Sequence, residues 1–564
     1  MQNLKIGLIV DGINVSKSVR DLIKWSQTSP NIEISHLIIQ EIPRPHRSLL
    51  GRVVMRIRKS GISGLLGRSV MEIVGRLERK PMLLRSCAVD FLKLHDVSAD
   101  VSKQVIVHPQ ISKSGFVFRY CKDDLARIRD EKFDLLIRCG SGILRGEILG
   151  VSRLGVISFH HGDNRIYRGG PAGFWEVLNQ EDQTGFIIQK LTEDLDAGEV
   201  LVRGGFPTQH FYSLNQMSII EQSNPYMFEL LRRVADMGAL PPTIETNKVL
   251  GPILKNPDFM QATFYLYKLL NLYSERIFNK LRKINPQWVV RILEGHPLDS
   301  ASKITLTLPV DKNCYLADPF LISKNGRTFC FVEEYVYQTK QGKIVAYEIN
   351  GTTVGERMVC LDEPFHLSFP FIFEFKENLY MCPETVASND IRIYRCIEFP
   401  NSWTLETILI PNISAADTMI FEKDERWWMM TNIDRSGLGD HSSELSIFYA
   451  DSPISQTWKP HAMNPIIINS KTARNGGLVR TNGRIYRVGQ EQGFDLYGKS
   501  VTLHEIVELS IDNYRELAVR VIKPDSMSGE IGSHHISTGP NIWARDALKM
   551  VSLLTSTREV FNQR

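Results

Sequence analysis

The sequence predicts two architectures in one chain: a mostly parallel α/β sheet over residues 1–210 and an all-β, five-bladed propeller over 299–550, joined by a helical connector at 211–298 and followed by a tail at 551–564. Three observations carry the prediction. Strand and helix signals alternate through the first part, which implies a parallel sheet with helices on both faces. Two long helix-like stretches follow. Then four similar segments recur about 50 to 60 residues apart, the spacing of propeller blades.

The expected strands of the first part are the apolar runs KIGLIV, IEISHLII, QVIVH, DLLIRC and GVISFH, with helices at 14–27 and 121–131 between them. The connector holds MSIIEQSNPYMFELLRRVADMG and FMQATFYLYKLLNLYSERIFNKLRKI, separated at Pro241 and Pro242. The recurring segments are ADPFLISKNGRTFCFVEEY, SFPFIFEFKENLYMCPETV, AADTMIFEKDERWWMMTNI and GGLVRTNGRIYRVGQEQG. Each is an apolar strand, a polar turn and an aromatic-rich strand, which is a hairpin. Flanking strands at 303–308 and 501–522 complete five blades, the two ends closing one blade together.

Composition excludes some classes. Charged residues at 23% and hydrophobic at 43% belong to an ordinary globular chain. The eight cysteines form no Cys-x-x-Cys pair, which argues against a zinc site or a disulfide framework and for a reducing compartment. No metal is expected. The start, LKIGLIVDG, reads as a first strand, with no cleavable signal and no apolar run of membrane-spanning length. The expected location is cytoplasmic, or peripheral to the inner face of a membrane.

The net charge of +4 conceals a basic segment: Arg44 to Arg85 carries eleven Lys or Arg against Glu72 and Glu78, a local +9. Interleaved apolar residues suggest amphipathic helices with either a solvated basic face or a contact with anionic membrane. The segment has no aromatic residue for base stacking, so nucleic acid is not expected as a partner. Nothing in the sequence sets the oligomeric state.

Residues 155–201 hold the densest chemistry. The strand VISF runs into His160 and His161, a loop with Arg165, Arg168, Gly169 and Gly170 follows, and Asp194 to Gly198 reads DLDAG. Strand side chains alternate, so Ser158 and His160 share a face. A strand that ends in polar residues before a Gly-rich turn is where open α/β sheets place ligands. The ordered set Gly155, Ile157, His160, Arg168, Gly169, Pro171, Trp175, Thr184, Gly185, Asp196, Gly198 and Val200 resembles the formyltransferase family, which acts on methionyl-tRNA, glycinamide ribonucleotide and amino sugars. The resemblance covers about residues 1–240 and implies a Rossmann-like domain. The family's Asn two residues before its catalytic His is Ser158 here, and Gly162-Asp163-Asn164-Arg165 replaces its Leu-Leu-Pro loop.

That resemblance implies 10-formyltetrahydrofolate as co-substrate, with the backbone of Gly140, Ser141, Gly142, Ile143 and Leu144 lining a pterin pocket. It makes His160, Asp196 and Ser158 catalytic: His160 donates to the developing oxyanion, Asp196 orients it and accepts the amine proton, and Ser158 stands in for the amide. On that reasoning Ser158→Asn restores the amide and is tolerated. His161, Asp163, Asn164, Arg165 and Arg168 are the substrate-side candidates, the two arginines as bidentate phosphate grips.

The repeated half resembles the five-bladed propellers of arabinanase- and invertase-type glycosidases, and more nearly the propeller domain at the N-terminus of plant glucosamine inositolphosphorylceramide transferases. Asp318 and Asp417 occupy matching places in the first and third repeats, Phe369 holds that place in the second, and Glu384 lies elsewhere on its blade. With one acid of the ring replaced, Asp318, Asp417 and Glu384 are expected to bind sugar rather than hydrolyse it.

The function expected is N-formyl transfer to an amine of an amino sugar, nucleotide- or lipid-linked, with a carbohydrate-recognising propeller. The alternative is a glycan-active propeller, hydrolase or transferase accessory, carrying a diverged formyltransferase-like domain. A non-catalytic assembly module is the third reading, and the presence of both His160 and Asp196 counts against it.

Overall fold

The apolar runs of the first part form one seven-stranded sheet. In chain order the elements that build it are β1 (Leu4–Val10), α1 (Lys17–Thr28), β2 (Ile32–Gln40), α2 (Leu49–Leu83), β3 (Lys103–Val107), α3 (Lys122–Asp130), β4 (Leu135–Arg138), β5 (Val156–His160), α4 (Phe174–Asn179), β6 (Gln183–Lys190), β7 (Glu199–Pro207), α5 (Tyr212–Met237) and α6 (Phe259–Leu281). The strand order is β7-β6-β5-β4-β1-β2-β3. β3, β2, β1, β4 and β5 run parallel, whereas β6 is antiparallel to both β5 and β7. The central strands are buried on both faces, which is why they read as unbroken apolar runs rather than alternating ones. α1 buries Val19, Leu22 and Ile23, the i, i+3, i+4 stripe of a covering helix. The computed structural model describes residues 3–42, 49–85, 87–194, 196, 198–244, 250–299 and 302–552, with backbone alone at 49–60. Residues 44–48 of the basic segment and 553–564 of the expected tail lie outside the described residues.

The stretch read as a connector divides. α5 packs against α1, β6 and β7, and buries Met217, Met227, Leu230 and Leu231 among others. It therefore covers the first sheet. The strand Ile284–Glu294 belongs instead to the last sheet of the second half. The chain forms two compact units, Met1–Asn271 and Leu272–Arg564, and the boundary falls inside α6. A long amphipathic helix carries no sign of which surface it will cover, so sequence pattern alone did not locate this boundary.

Among the described residues, the second unit contains five consecutive antiparallel sheets of four or five strands. Their leading strands are Cys314–Lys324, Ser368–Phe375, Ala415–Lys423 and Asn475–Thr481 in the four repeats, with Ile536–Gly539 in the fifth sheet. Each leading strand lies beside the next, and the fifth returns to the first, so the sheets close a ring. Closure differs from the expectation at 501–522. Leu496–Leu509 and Tyr514–Ile522 are the outer strands of the fourth sheet. The fifth sheet joins the chain ends by pairing Ile284–Glu294 with Ile542–Ser552, in register from Ile284↔Ser552 to Glu294↔Ile542.

Each repeat kinks at the same place. The leading strands lose register at Ala317/Phe320, Ser368/Phe371, Ala416/Met419 and Asn475/Leu478. Asp318, Phe369 and Asp417 take left-handed φ values of 50°, 46° and 49° there. A bulge that forces a non-glycine residue to positive φ is costly and re-aims a side chain. Its recurrence turns Asp318 and Asp417 inward. Phe369 meets the same geometry but is fully buried against Phe320 and His535.

Candidate functional site

β5 delivers His160 at the carboxyl end of the parallel strands, and the loop after β6 returns Asp196 to it. His160 Nδ1 lies 3.5 Å from Asp196 Oδ1. The other ring nitrogen, Nε2, lies 3.3 Å from the Tyr167 carbonyl. A neutral imidazole has one N–H for these two acceptors; the imidazolium serves both. Asp196 is fixed in turn: its Oδ2 accepts the Gly169 N–H at 3.0 Å and its carbonyl accepts from Asn164 Nδ2 at 3.0 Å. Gly169 has φ of 86°, and a Cβ there would lie 2.2 Å from the Leu254 carbonyl oxygen, so only glycine permits this contact.

Sequence reasoning missed Arg138. It closes β4 and pairs directly with Ser158 of β5. Its Nη1 donates toward Ser158 Oγ at 3.4 Å and its Nε donates to the Gly142 carbonyl at 2.7 Å. Burial pulls this guanidinium down from its ordinary value, while Cys139, Asp196 and Asp11 act in the opposite sense. The small side chain at 158 leaves the space that Arg138 fills. The clue in the sequence is an arginine inside an otherwise apolar strand, LLIR, which is costly unless a partner waits for it.

The expected substrate loop is largely committed to the protein. Asp163 pairs with Arg203 at 2.5 Å and with Arg165 at 2.7 Å. Asn164 is buried and accepts from Arg203 Nη2 at 2.9 Å. Arg168 donates to the Gly251 carbonyl at 2.8 Å and holds the strand that follows. His161 stacks on Phe159 at 5.1 Å, and burial pushes it down to about 3, so it stays neutral. These contacts position the loop, with the Arg165 side chain about half exposed at its edge. Burial also pushes Glu176 of α4 up to about 7, with Glu181 and Asp163 adding to the rise. The folded state then holds a proton that the unfolded chain releases near 4.5, so stability falls as pH rises from there through 7. Glu176→Gln should abolish that decline and stabilise the chain above pH 7, by on the order of 3 kcal/mol at most. Melting temperatures of both forms at low and high pH check this.

The Gly140–Leu144 turn is held by hydrogen bonds to its neighbours, and Ser141 within it lines a cavity. Ser141 N–H donates to Asp11 Oδ1 at 2.9 Å, and Ser141 Oγ to Asp11 Oδ2 at 2.5 Å. The Ile143 N–H donates to the Phe116 carbonyl at 2.7 Å, and the Ser141 carbonyl accepts from Gln40 at 3.1 Å. A cavity of about 460 Å³ opens beside Ser141, lined by Asp11, Gln40, Glu41 and His108 at the ends of β1, β2 and β3. Its volume is that of a small-molecule site, and its carboxylates suit an N–H-rich ring.

In the second unit Asp318, Glu333 and Glu384 line a polar pocket of about 130 Å³ together with Trp288, Tyr315, Arg474, Tyr497 and His534. Arg474 donates to Asp417 at 2.6 Å and reaches Glu384 at 3.5 Å, so two of the three expected sugar ligands share one guanidinium. His534 spans Asp318 and Asp546 at 3.0 Å on either side. These three offer atoms within 4.8 Å of one another, but both imidazole nitrogens already face carboxylates. Burial would raise Asp318, yet the hydrogen bond and charge of His534 hold it down to about 2. Burial pushes the Glu333 carboxyl well up, with Asp318 and Glu384 adding to it.

Both halves of the chain have named relatives. The family model described as "Glucosamine inositolphosphorylceramide transferase 1, N-terminal" matches residues 300–535. Glucosamine inositolphosphorylceramide transferase 1 of Oryza sativa subsp. japonica is 34% identical over 235 residues, 41% of this chain and 30% of that protein. Methionyl-tRNA formyltransferase of Synechocystis sp. (strain ATCC 27184 / PCC 6803 / Kazusa) is 27% identical over 144 residues, 25% of this chain and 44% of that protein. Among solved structures, the catalytic domain of Coprinopsis cinerea GH62 alpha-L-arabinofuranosidase aligns with a TM-score of 0.35 at 11% identity, over 47% of this chain and 97% of that one. The chain thus spans about 30% and 44% of the lengths of the two curated relatives, each named as a transferase.

Proposed function

We propose that this chain transfers a formyl group to the amine of an amino sugar, with the first unit as the enzyme and the second as a five-bladed propeller that recognises glycan. The observation that carries the reading is the His160–Asp196 pair, at 3.5 Å, beside Ser158 and Arg138 at the carboxyl ends of β4 and β5. 10-formyltetrahydrofolate supplies the formyl group when bound, and the cavity beside Ser141 is its proposed seat. As the acceptor's N–C bond to the formyl carbon forms and the donor's N–C bond breaks, Asp196 accepts the proton that the attacking amine loses, directly or through one water, and returns it to the departing nitrogen. His160 and Arg138 donate to the oxygen that gains negative charge, and the guanidinium takes the place of the family's amide. The test is to incubate the full chain with 10-formyltetrahydrofolate and a panel of nucleotide-linked amino sugars, and to analyse the products by mass spectrometry. An N-formyl product that disappears in His160→Ala supports the reading. No product from any acceptor, together with no binding of 5-formyltetrahydrofolate, sinks it.

For the second unit we propose binding without hydrolysis. Arg474 holds Asp417 and Glu384, and Asp318, which faces His534 at 3.0 Å, lines the pocket as the proposed carboxylate for sugar hydroxyls. Asp318→Asn should weaken glycan-array binding roughly tenfold or more, the worth of one charged hydrogen bond. One observation favours the other reading: a Glu333 carboxyl pushed up by burial, near an Asp318 carboxyl held down by His534, is the asymmetry of an acid and a base. Free sugar released from a glycoside panel, and lost in Asp318→Asn, would make this pocket the enzyme.

A further inference from the structure

We infer that the first unit docks on an anionic lipid surface through the outward faces of α2 and α6. The two helices are packed together. Phe259 N–H donates to Ser63 Oγ at 3.2 Å, a Cβ on Gly67 would touch the Asp258 backbone, and Tyr265 OH donates to the fully buried Glu78. Glu78 also accepts the Ser213 N–H at 2.8 Å, so the pair is anchored to the first turn of α5.

Each helix is amphipathic in the expected sense on its inner side. α2 buries Gly67, Val74, Glu78 and Met82, and α6 buries Ala262, Tyr265 and Leu269. The outer sides should then be polar throughout, and instead they carry exposed apolar rows. On α6, Met260, Phe264 and Tyr267 stand one above another at i, i+4 and i+7, with Met260 78% and Tyr267 64% exposed. On α2, Ile62, Leu66 and Ile73 form a second exposed row, with Ile62 at 65%. Exposed apolar rows of this extent mark an interaction surface.

Charge selects the occupant. Over 61–85, Arg68, Arg76, Arg79, Lys80 and Arg85 are all exposed, against one exposed acid, Glu72. Apolar side chains flanked by Arg and Lys suit a helix lying in the headgroup layer, its basic stems extended toward phosphates. Among the described residues no helix is long and apolar enough to cross a membrane, which fits a helix that rests on the surface. A membrane-associated acceptor amine would then be presented to the first unit at the bilayer.

The test uses the full chain and sedimentation with vesicles, either of phosphatidylcholine alone or of equal parts phosphatidylcholine and phosphatidylglycerol. Binding is expected to the anionic vesicles only and should weaken with salt, roughly fivefold for each basic residue removed. Arg76→Glu with Arg79→Glu tests the charge, and Phe264→Asp with Tyr267→Asp tests the apolar row; all four side chains lie outside the core, and unchanged melting curves confirm folding. Either pair should abolish sedimentation. Absence of binding to anionic vesicles overturns the inference, as does equal binding to neutral ones. A dimer seen by light scattering that Phe264→Asp dissociates, without vesicle binding, assigns the face to a second copy and equally overturns it.

Discussion

Replacing His160 by Ala is expected to lower turnover by about 10²- to 10⁴-fold, the contribution of one positioned proton-transfer group. Asp196→Ala should fall in the same range, because it removes the proton acceptor and the partner 3.5 Å from the ring together. The fold should notice little: the ring's polar contacts are long, 3.3 Å to the Tyr167 carbonyl and 3.5 Å to Asp196. Asp196→Asn separates the two roles. The amide still accepts the Gly169 N–H but cannot take a proton, so activity should drop while the melting temperature holds. Near-normal kcat in His160→Ala, measured on the acceptor found by the product screen, would remove this pair from the mechanism.

The second large effect concerns the Ser158–Arg138 pair. Arg138→Met should lose about 10²- to 10³-fold, as for removal of one oxyanion donor. Ser158→Asn, which the sequence alone marks as tolerated, is now expected to fail by itself. Arg138 Nη1 is already 3.4 Å from the serine oxygen, so a longer amide meets the guanidinium. The double variant Ser158→Asn with Arg138→Ala makes room for the amide and should recover part of the lost rate. The single changes are in contact, so their free energies should not add. Additive losses in that cycle, or a Ser158→Asn enzyme faster than the parent, would show that Arg138 does not replace the amide.

Particular residues show where sequence was enough. KIGLIV and DLLIRC became neighbouring central strands because a strand buried on both faces must be apolar throughout. His160 and Asp196 were legible because an ordered string of residues fixes their place, and the structure brings them to 3.5 Å. The four hairpin repeats were legible because each turn carries its own Gly, Asn or Asp signal. The closing strand Ile284–Glu294 was not, since its partners lie 268 residues away at one end of the ladder and 248 at the other, and no local signal names them. The partner of the substrate-side loop was not legible for a related reason: Arg203, which holds Asp163 and Asn164, lies 40 and 39 residues on.

By itself, then, the sequence determined what local pattern can encode: the strand runs, the hairpin turns, the repeat, the basic segment and the order of the site motif. Tertiary structure alone decided which charges meet. It set Arg138 beside Ser158, Arg474 between Asp417 and Glu384, and His534 between Asp318 and Asp546. It also turned the apolar rows of α2 and α6 outward. The physical reason is common to all four: the cost of a buried charge, or of an exposed apolar side chain, depends on its neighbour in space, and sequence distance does not constrain that neighbour.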